Sequence, residues 1–521
     1  MKKQIFSLVL LLSISLLKAQ TTNWNNIYGG TDSDKMSAVT ETGTNLYWAG
    51  YYKSADGDFT SNYGNYDCFI LSTDTNGTVQ WKKTFGGSLV DYLYDITTDS
   101  NGDIIAVGTS KSNDNDITGN QGNYDYLVVK LNSSGIIQWQ KSFGGTNIDK
   151  ATSVLATSDG GYLVLGYSKS TDGDITAGTN HGAYDVWLLK LDSAGTILWQ
   201  KTYGGASDDK AGHIYTDGTN YYIAAYSKSN NGDLTVNHGN YDYWIFSIDN
   251  TGTILWQRSY GGSSIDKEPV LAFNTSDLLI AGTSNSNDGD ISNPQGGFDF
   301  WVLNVNSTNG NIIWQNNYGG TGADFATGVG SLPVLTRSNN LTGSELYAVG
   351  YSNSDDGDFT TNQGNYDAWF IGIDFSGNLV NSTNFGGSDI DQFTGAKFNN
   401  YTFELNIFGT TKSTDGDITG QHGNYDAWYA SFTPELTGAI SEMNLIDVKV
   451  YPNPANDNLQ VQADDMQELL IFDMQGKLIA KYQIQEASNH FTIDISGLSS
   501  GNYMLKTISK NGLGLSKIIV K

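Results

Sequence analysis

Cysteine, proline and helical patterns are scarce in this 521-residue sequence. It contains a single cysteine, Cys68, so no disulfide can form within the chain and packing has to stabilise the fold. Long amphipathic helical patterns are nearly absent, which argues against a helical protein. The 6 prolines, 61 glycines and 12% aromatic residues favour an all-β protein with many tight turns.

Basic residues are scarce as well. The chain has 28 Lys and Arg against 55 Asp and Glu, which gives a formal net charge of −27 at pH 7. A charge of this sign repels phosphate backbones and anionic lipid surfaces, so nucleic acid is not expected as a partner. An acidic surface can keep an exported protein soluble or bind cations, and the sequence leaves both interpretations open.

Long apolar runs are missing except near the N-terminus, where Lys2 and Lys3 precede the run Ile5–Leu17. This order is typical of a secretory signal peptide, with cleavage beside Gln20. A run of about 13 residues is too short for a membrane-spanning helix, which needs about 20. We therefore expect residues 1–20 to be removed and the mature protein to have no transmembrane segment.

A repeat of 57 to 67 residues occupies most of the chain. The pattern W-x-x-x-(Y/F)-G-G begins at Trp24, Trp81, Trp139, Trp199, Trp256 and Trp314, and Asn381 takes the Trp position of the seventh copy. Each period contains four strand-like runs, as in 151–157, 162–168, 184–191 and 196–203. Four strands per repeat predict the blade of a β-propeller.

The two ends of the array complement each other. The mature chain opens on a lone Trp-containing strand, 23–30, and the array ends near Phe432 with three strands that lack a fourth. We therefore predict an all-β, seven-bladed β-propeller of four-stranded blades over residues 21–432, whose N-terminal strand closes the last blade. The longer sixth period contains a Ser/Asn/Thr/Gly-rich insertion, 331–345, predicted as a loop on the lower face.

The segment Leu191–Thr202, LDSAGTILWQKT, resembles the tryptophan-docking repeat of quinoprotein-like propellers. The array from 23 to 432 is also similar to the repeat propellers of exported bacterial proteins. This resemblance implies outer-strand tryptophans that pack on the neighbouring blade. It implies no activity.

Three aspartates in each repeat are expected on one face of the propeller, because the connections that carry them emerge together. The first series stands four positions after the Gly pair: Asp34, Asp91, Asp149, Asp209, Asp266, Asp324 and Asp391. The second series ends the DGD-like triplet of the middle loop: Asp58, Asp116, Asp174, Asp233, Asp290, Asp358 and Asp417. The third series ends the GNYD-like motif: Asp67, Asp125, Asp185, Asp242, Asp299, Asp367 and Asp426. So many like charges on one rim require compensation.

Three explanations compete for these aspartates. In the first, their side chains accept backbone N–H bonds and pair with lysines. The lysines in question are Lys35, Lys53, Lys111, Lys150, Lys169, Lys210, Lys228, Lys267 and Lys412. In the second, Ca²⁺ is bound by the second and third series together with loop carbonyls. In the third, the aspartates bind the hydroxyls of a glycan.

A glycan would stack its sugar rings on the aromatic residue that precedes each third-series aspartate. These residues are Tyr66, Tyr124, Tyr184, Tyr241, Tyr366 and Tyr425, with Phe298 in the fifth repeat. The alternative role for such a residue is to close the core at the start of a strand.

Catalysis needs residues in different roles, whereas these motifs are near copies around a ring. The sequence has no G-x-S-x-G elbow and no HExxH helix, and we assign no catalytic residue. It favours a non-catalytic recognition or adhesion module with a glycan ligand. A polysaccharide-acting hydrolase or lyase that uses a pair of rim aspartates is one alternative, and a structural surface-layer protein is another.

The composition changes after Phe432, so residues 433–447 are predicted as a linker and residues 448–521 as a small separate β-sandwich. Six short strands are expected there: 459–462, 468–472, 478–483, 491–495, 503–510 and 516–520.

Three segments of this tail carry a specific resemblance: VYPNPANDNLQV (Val450–Val461), LLIFDMQGKLI (Leu469–Ile479) and Ile493–Lys521 with its GNYMLK motif. They resemble the type A sorting domain of the type IX secretion system. The resemblance implies that the type IX machinery of a Bacteroidetes-type bacterium carries the protein across the outer membrane. The protein would then be anchored at the cell surface or released. An ordinary adhesive immunoglobulin-like module is the alternative.

Overall fold

The computed structural model describes residues 22–43, 45–175, 180–274, 277–332, 346–359, 361–399, 404–432, 448–473, 478–509 and 512–521. The predicted signal peptide, the predicted linker and most of the insertion 331–345 lie outside the described residues. Within the described ranges the regular elements are all β-strands.

The array begins with β1 (Thr22–Tyr28), which stands apart from the strands that follow it. Blade 1 contains β2 (Asp34–Thr42), β3 (Asn45–Tyr52), β4 (Asp67–Asp74) and β5 (Val79–Phe85). Blade 2 contains β6 (Asp91–Thr98), β7 (Ile104–Ser110), β8 (Asp125–Leu131) and β9 (Ile137–Phe143). Blade 3 contains β10 (Asp149–Ala156), β11 (Tyr162–Ser168), β12 (Asp185–Leu191) and β13 (Ile197–Tyr203). Blade 4 contains β14 (Asp209–Thr216), β15 (Tyr221–Ser227), β16 (Asp242–Ile248) and β17 (Ile254–Tyr260).

Blade 5 contains β18 (Asp266–Asn274), β19 (Asp277–Ser284), β20 (Asp299–Asn306) and β21 (Ile312–Tyr318). Blade 6 contains β22 (Asp324–Ser331), β23 (Leu346–Ser352), β24 (Asp367–Ile373) and β25 (Leu379–Phe385). Blade 7 contains β26 (Asp391–Asn399), β27 (Glu404–Thr411) and β28 (Asp426–Phe432).

Blade 7 is completed by the N-terminal strand. In the described residues, blades 1 to 6 are antiparallel four-stranded sheets in sequence order, and the seventh sheet has the order β26-β27-β28-β1. Along this closing pair Trp24 lies opposite Ser431 and Tyr28 opposite Ala427. The seven-bladed propeller and its closure by the N-terminal strand are therefore confirmed.

The hydrophobic cores lie between neighbouring blades. The third strands β8, β12, β16, β24 and β28 are buried at every residue, because both faces of the sheet are covered. The core between blades 7 and 1 packs Trp48 against Tyr429, with ring centroids 5.0 Å apart, and against Phe408 at 6.3 Å. Burying one side chain of the size of Phe408 contributes roughly 1.5–3 kcal/mol. The junction that closes the ring thus has a core like the others.

Outer-strand tryptophans dock on the next blade, as the resemblance to tryptophan-docking propellers implies. The indole N–H of Trp81 in blade 1 donates to the carbonyl of Ser133 in blade 2, at 3.1 Å. Gly135 follows in the same turn with φ of +79°, and a Cβ there would lie 2.8 Å from the Trp81 ring. Trp139, Trp256 and Trp314 make the same bond to the turns of blades 3, 5 and 6.

The structure explains why the seventh copy has Asn381 in place of tryptophan. Asn381 lies on β25 of blade 6, whose neighbour is blade 7. In blade 7 the third and fourth strands come from opposite ends of the array, so no short turn with a glycine connects them. A tryptophan at 381 would have no turn on which to dock.

The C-terminal tail forms a sheet of five strands in the described residues. They are β29 (Lys449–Tyr451), β30 (Asn458–Asp473), β31 (Leu478–Asp494), β32 (Gly501–Ser509) and β33 (Gly512–Val520). The order is β29-β30-β32-β33, and β31 pairs with β30. The expectation of six short strands is corrected, because four of them are halves of two long strands. The polar residues around Met466 had suggested a break between two strands. Instead, β30 continues through this region, with a register shift on each side of Met466.

Candidate functional site

All three aspartate series lie at one edge of each blade. In blade 3, Asp149 at the start of the first strand pairs with Ser168, and Ser168 pairs with Asp185 at the start of the third strand. Asp174 in the middle loop reaches the same edge, where its N–H donates to the carbonyl of Gly144 at 2.8 Å. The repeat places the equivalent residues of the other blades in the same way.

The first series has a hydrogen-bonding role inside the junctions between blades. The Asp149 carboxylate is fully buried and accepts bonds from the N–H of Gly145 at 2.8 Å and from the hydroxyls of Ser168 at 2.5 Å and Ser170 at 2.8 Å. Burial raises the pKa of Asp149, and these hydrogen bonds oppose that rise. This carboxylate fixes the Gly pair, so it is not available to a ligand.

The third series is also buried. Oδ2 of Asp125 accepts the backbone N–H of Gln121 at 2.7 Å, whereas its Oδ1 has no hydrogen-bond partner among the described residues. The same Oδ1 is unpaired in every blade: Asp67, Asp125, Asp185, Asp242, Asp299, Asp367 and Asp426. These carboxyl groups lie beneath the rim and do not form an open acidic surface.

Each second-series aspartate lies beside the third-series aspartate of the preceding blade. Oδ2 of Asp174 accepts the N–H of Gly144 at 3.2 Å and the side-chain amide of Gln121 at 2.6 Å, which places it beside Asp125. Asp185 belongs to the next junction, where a Cβ on Gly204 would lie 2.7 Å from its Oδ1. Consecutive aspartates of one repeat therefore belong to different junctions.

No group of three His, Cys, Asp or Glu side chains in the described ranges is arranged to hold a metal ion. Calcium binding by the second and third series stays a prediction. It would need backbone carbonyls to supply most of the six to eight oxygens that Ca²⁺ takes.

The rim aromatic residues occupy the junctions on the axial side. The carbonyl of Tyr124 accepts the N–H of Asp149 from the next blade at 2.6 Å, and its ring is partly exposed. Tyr66 packs on Tyr51 of its own blade at 5.7 Å between centroids and on Tyr92 of the next blade at 5.4 Å. These rings are fixed by two blades and still present a face to solvent.

In the described residues, six of the nine lysines lie over these rings, and none of the nine pairs with the three aspartate series. Two lysines from adjacent blades flank Tyr184, with Lys210 at 4.5 Å and Lys169 at 5.6 Å from the ring centroid. Lys111 and Lys150 flank Tyr124 at 5.5 and 5.4 Å in the same way.

Of the nine lysines expected to pair with the aspartate series, three form ion pairs in the described part of the chain, and all three use other carboxylates. Lys53 contacts Asp32 at 3.1 Å, Lys267 contacts Glu268 at 3.4 Å and Lys412 contacts Asp389 at 3.3 Å. The predicted lysine pairing is therefore corrected. The lysines next to the first series point to the channel, whereas the aspartates point into the junctions.

We call the opening where these rings and lysines meet the axial mouth. It is the end of the central channel at which the first strands begin. The aromatic residues assigned to it contact each other or the lysines: Tyr51, Tyr66, Tyr92, Tyr124, Tyr167, Tyr184, Tyr226, Tyr241, Phe298, Phe325, Tyr351, Tyr366 and Tyr425.

Glu268 is a residue of the mouth that the sequence reasoning missed. It lies at a register shift of β18 with φ of +59°, next to Pro269, and its side chain is exposed. Its charge contributes to the raised pKa of Tyr226 in blade 4 and opposes the lowered pKa of Lys35 in blade 1, both of which are shifted mainly by burial. Because its charge acts on residues of blades 1 and 4, we infer that the Glu268 carboxylate faces the channel axis. No other repeat has a Glu-Pro pair two positions after its first-series aspartate, and this difference was the available signal.

Residues 449–521 match the family model of the secretion system C-terminal sorting domain. The tail is a type IX secretion sorting domain. The protein is therefore exported, either to the cell surface or into the medium. The sorting domain accounts for the tail and assigns no activity to the propeller. No helix in the part of the chain that the structure describes has the length and apolar character to cross a membrane.

The curated relative and the solved structures that the chain resembles are distant. The regulatory protein FlaEY of Caulobacter vibrioides is 26% identical over 236 residues, 39% of this chain, and this chain spans 24% of its length. Drosophila Plexin A in complex with Semaphorin 1b is similar in structure, with a TM-score of 0.44 at 8% identity, covering 80% of this chain and 88% of Plexin A. The apocarotenoid oxygenase of Synechocystis has a TM-score of 0.33 at 11% identity, covering 56% of this chain and 62% of the oxygenase. None of these similarities carries an argument about function.

The buried third series predicts a propeller that is most stable in mild acid. Burial raises the pKa of Asp67, Asp185 and Asp299 to about 6 and that of Asp125 to about 7. The unfolded value is about 3.9, so the stabilisation of the protonated form is complete below about pH 4 and is lost as pH rises through 6 to 7. A two-unit shift corresponds to at most about 3 kcal/mol per carboxyl. We expect the free energy of unfolding to fall between about pH 4 and pH 7 in urea titrations with a chelator present.

Two variants test the origin of this pH dependence. Asp125→Asn should flatten it, because the neutral amide removes one titrating group. Asp172→Asn is the matched control, because Asp172 is exposed and a backbone hydrogen bond from Thr146 lowers its pKa. Stability that rises between pH 4 and pH 7 would contradict the prediction. Added calcium that restores stability at neutral pH would support the calcium prediction, since a bound cation favours ionised carboxylates.

Proposed function

We propose that the exported propeller is a recognition or adhesion module that binds a glycan at the axial mouth. The observation that carries this proposal is the ring of partly exposed aromatic side chains at one opening. The proposed contact residues are Tyr66, Tyr124, Tyr184, Tyr241, Tyr366 and Tyr425. Aromatic faces bind the apolar face of a sugar ring, and nearby polar groups bind its hydroxyls.

The contacts between neighbouring blades support this proposal because they hold the aromatic rings in place before a ligand binds. The backbone of Tyr184 is fixed by the N–H of Asp209 from the next blade at 2.6 Å, and its ring packs edge-to-face on Tyr167 at 5.4 Å. A rigid aromatic surface loses little conformational entropy when a ligand binds.

A polysaccharide-acting hydrolase or lyase is less well supported. The carboxyl groups with raised pKa, which are the natural general acids, are buried at the junctions where a polymer could not contact them. A structural surface-layer protein would not need a ligand at the axial mouth, and the test below includes this outcome.

The division of the chain is part of the same proposal. Residues 1–20 direct the chain into the periplasm, 21–432 form the propeller, 433–447 link it to the tail, and 448–521 carry it across the outer membrane. The sorting-domain match to 449–521 supports the last boundary.

A glycan array probed with the purified full-length chain tests the function. We expect binding to a restricted set of glycans, with Tyr184→Ala weakening it about tenfold, the loss of roughly 1.4 kcal/mol of stacking. The matched control is Tyr63→Ala, since Tyr63 is 52% exposed and lies outside the ring of contact residues. No bound glycan, or binding that Tyr184→Ala leaves unchanged, would contradict the proposal. Released oligosaccharide products would favour the enzyme instead.

A further inference from the structure

One side of the axial mouth has an arc of lysines. It consists of five residues from blades 2, 3 and 4 that form no ion pair in the described residues: Lys111, Lys150, Lys169, Lys210 and Lys228. Their ammonium groups lie over Tyr124, Tyr184 and Tyr241, with Lys228 4.2 Å from the Tyr241 ring centroid. Like charges so placed repel each other, and an anion between them would relieve that repulsion.

This arc is unusual in a protein with 28 basic and 55 acidic residues, where carboxylates are plentiful. The rings take the place of carboxylate partners, because a cation over an aromatic face gains about 0.5–1 kcal/mol at an exposed site. Burial and the neighbouring Lys210 both lower the pKa of Lys150, which agrees with a crowded, partly desolvated position.

Blade 6, across the mouth from blade 3, is aromatic and has no lysine at the two equivalent positions. In blade 6, Phe325 takes the place that Lys150 has in blade 3, and Asn353 takes the place of Lys169. Phe325 packs on Phe298 at 5.4 Å and on Tyr351 at 5.0 Å, and Tyr351 packs on Tyr366 at 5.7 Å. The mouth therefore has a cationic side and an aromatic side.

Carboxylates also lie around the lysines: Asp208 accepts the hydroxyl of Tyr241 at 3.0 Å beside the arc, and others stand in the middle loops. The middle loops carry Asp172 and its equivalents, with Asn231 in place of an aspartate in blade 4. Each accepts the N–H of the residue after a Gly pair, at 2.8 Å from Thr146 in the case of Asp172. An extended polyanion lying across the face would meet these carboxylates, whereas one charged residue entering along the axis would reach the lysines.

We propose that the glycan bound at the axial mouth ends in an acidic sugar, which enters along the propeller axis. Its carboxylate contacts Lys150 and Lys210, and its ring stacks on the aromatic side formed by Phe325 and Tyr351. Glu268, exposed at the mouth, accepts hydrogen bonds from the sugar hydroxyls. This inference rests on the proposed glycan-binding function and adds the class of sugar and its orientation.

Isothermal titration of the full-length chain with trigalacturonate and with a neutral galactose trisaccharide tests the inference. We expect the acidic probe to bind at least about tenfold more tightly, and its affinity to fall as salt is raised. Lys150→Gln combined with Lys210→Gln should reduce the acidic probe to the affinity of the neutral one. The matched control is Lys141→Gln combined with Lys201→Gln, on the exposed outer strands β9 and β13, which should leave binding unchanged.

The outcomes separate this inference from the function on which it rests. Equal binding of both trisaccharides that depends on Tyr184 would overturn the acidic-sugar inference and leave glycan binding intact. Acidic binding that survives the Lys150 and Lys210 substitutions would overturn the lysine assignment. A sulfated trisaccharide that binds as well as the uronate would overturn the preference for a carboxylate. Failure of every trisaccharide, together with an empty glycan array, would overturn the proposed function itself.

Discussion

Deleting residues 22–28 should abolish the cooperative unfolding transition of the propeller. These residues form β1, whose removal exposes the whole edge of β28 and leaves blade 7 with three strands. The deletion also removes Tyr28 from the core between blades 7 and 1, and Ile27 from the side of the core between blades 6 and 7. The indole of Trp428 loses its partner, the Asn25 side-chain carbonyl at 2.6 Å.

The expected loss is comparable to the whole stability of the domain. The buried side chain of Tyr28 contributes roughly 1.5–3 kcal/mol, and the half-buried Ile27 contributes less. Each backbone hydrogen bond to β28 adds about 1 kcal/mol. Since single domains are stable by about 5–15 kcal/mol, the deleted protein should melt broadly or aggregate through its free edge.

Thermal melts followed by circular dichroism, with size-exclusion chromatography, measure this effect. Deletion of residues 334–344 is the control, because shortening a predicted surface loop changes the loop entropy only slightly. That variant should melt cooperatively. An unchanged melt after deletion of 22–28 would show that β1 does not complete the ring.

The second large effect concerns export. Removing residues 449–521 eliminates the sorting domain, so in a bacterium with the type IX machinery the propeller should accumulate in the periplasm. We expect the surface signal to fall to background while the periplasmic signal rises. Fractionation and protease accessibility on intact cells measure the two pools.

Tyr184→Ala in the full chain is the control for export, because it changes the axial mouth and leaves the sorting domain intact. It should reach the surface like the natural protein. Normal surface display of the truncated chain would contradict the assignment, because the propeller would then carry its own export information.

Much of the fold could be predicted from the sequence because the same strand pattern occurs in each of the seven repeats. The second strand of blade 3 was predicted as 162–168 and is Tyr162–Ser168, and the unequal ends of the array predicted the closing strand. The tail was harder, because the polar residues around Asp465 look like a turn while β30 continues through them with Asp465 at φ of +49°.

The candidate site was less predictable, because a sequence gives the face of a strand but not its radial position in a ring. Asp149 and Lys150 are neighbours in sequence, yet Asp149 is buried in a junction while Lys150 points to the channel. Asp125 and Asp174 are 49 residues apart in the chain, yet Gln121 and Gly144 bring them to one junction. Such groupings depend on how two blades meet, which one repeat does not specify.

The ring closure is tested most directly by amide hydrogen exchange of residues 22–28 in the intact chain. If β1 pairs with β28, its amides should be protected to the same degree as those of the buried third strand β12, and both should exchange only when the propeller unfolds. Exchange of residues 22–28 at the rate of an unfolded peptide, with β12 still protected, would contradict the closed ring and the axial mouth that depends on it.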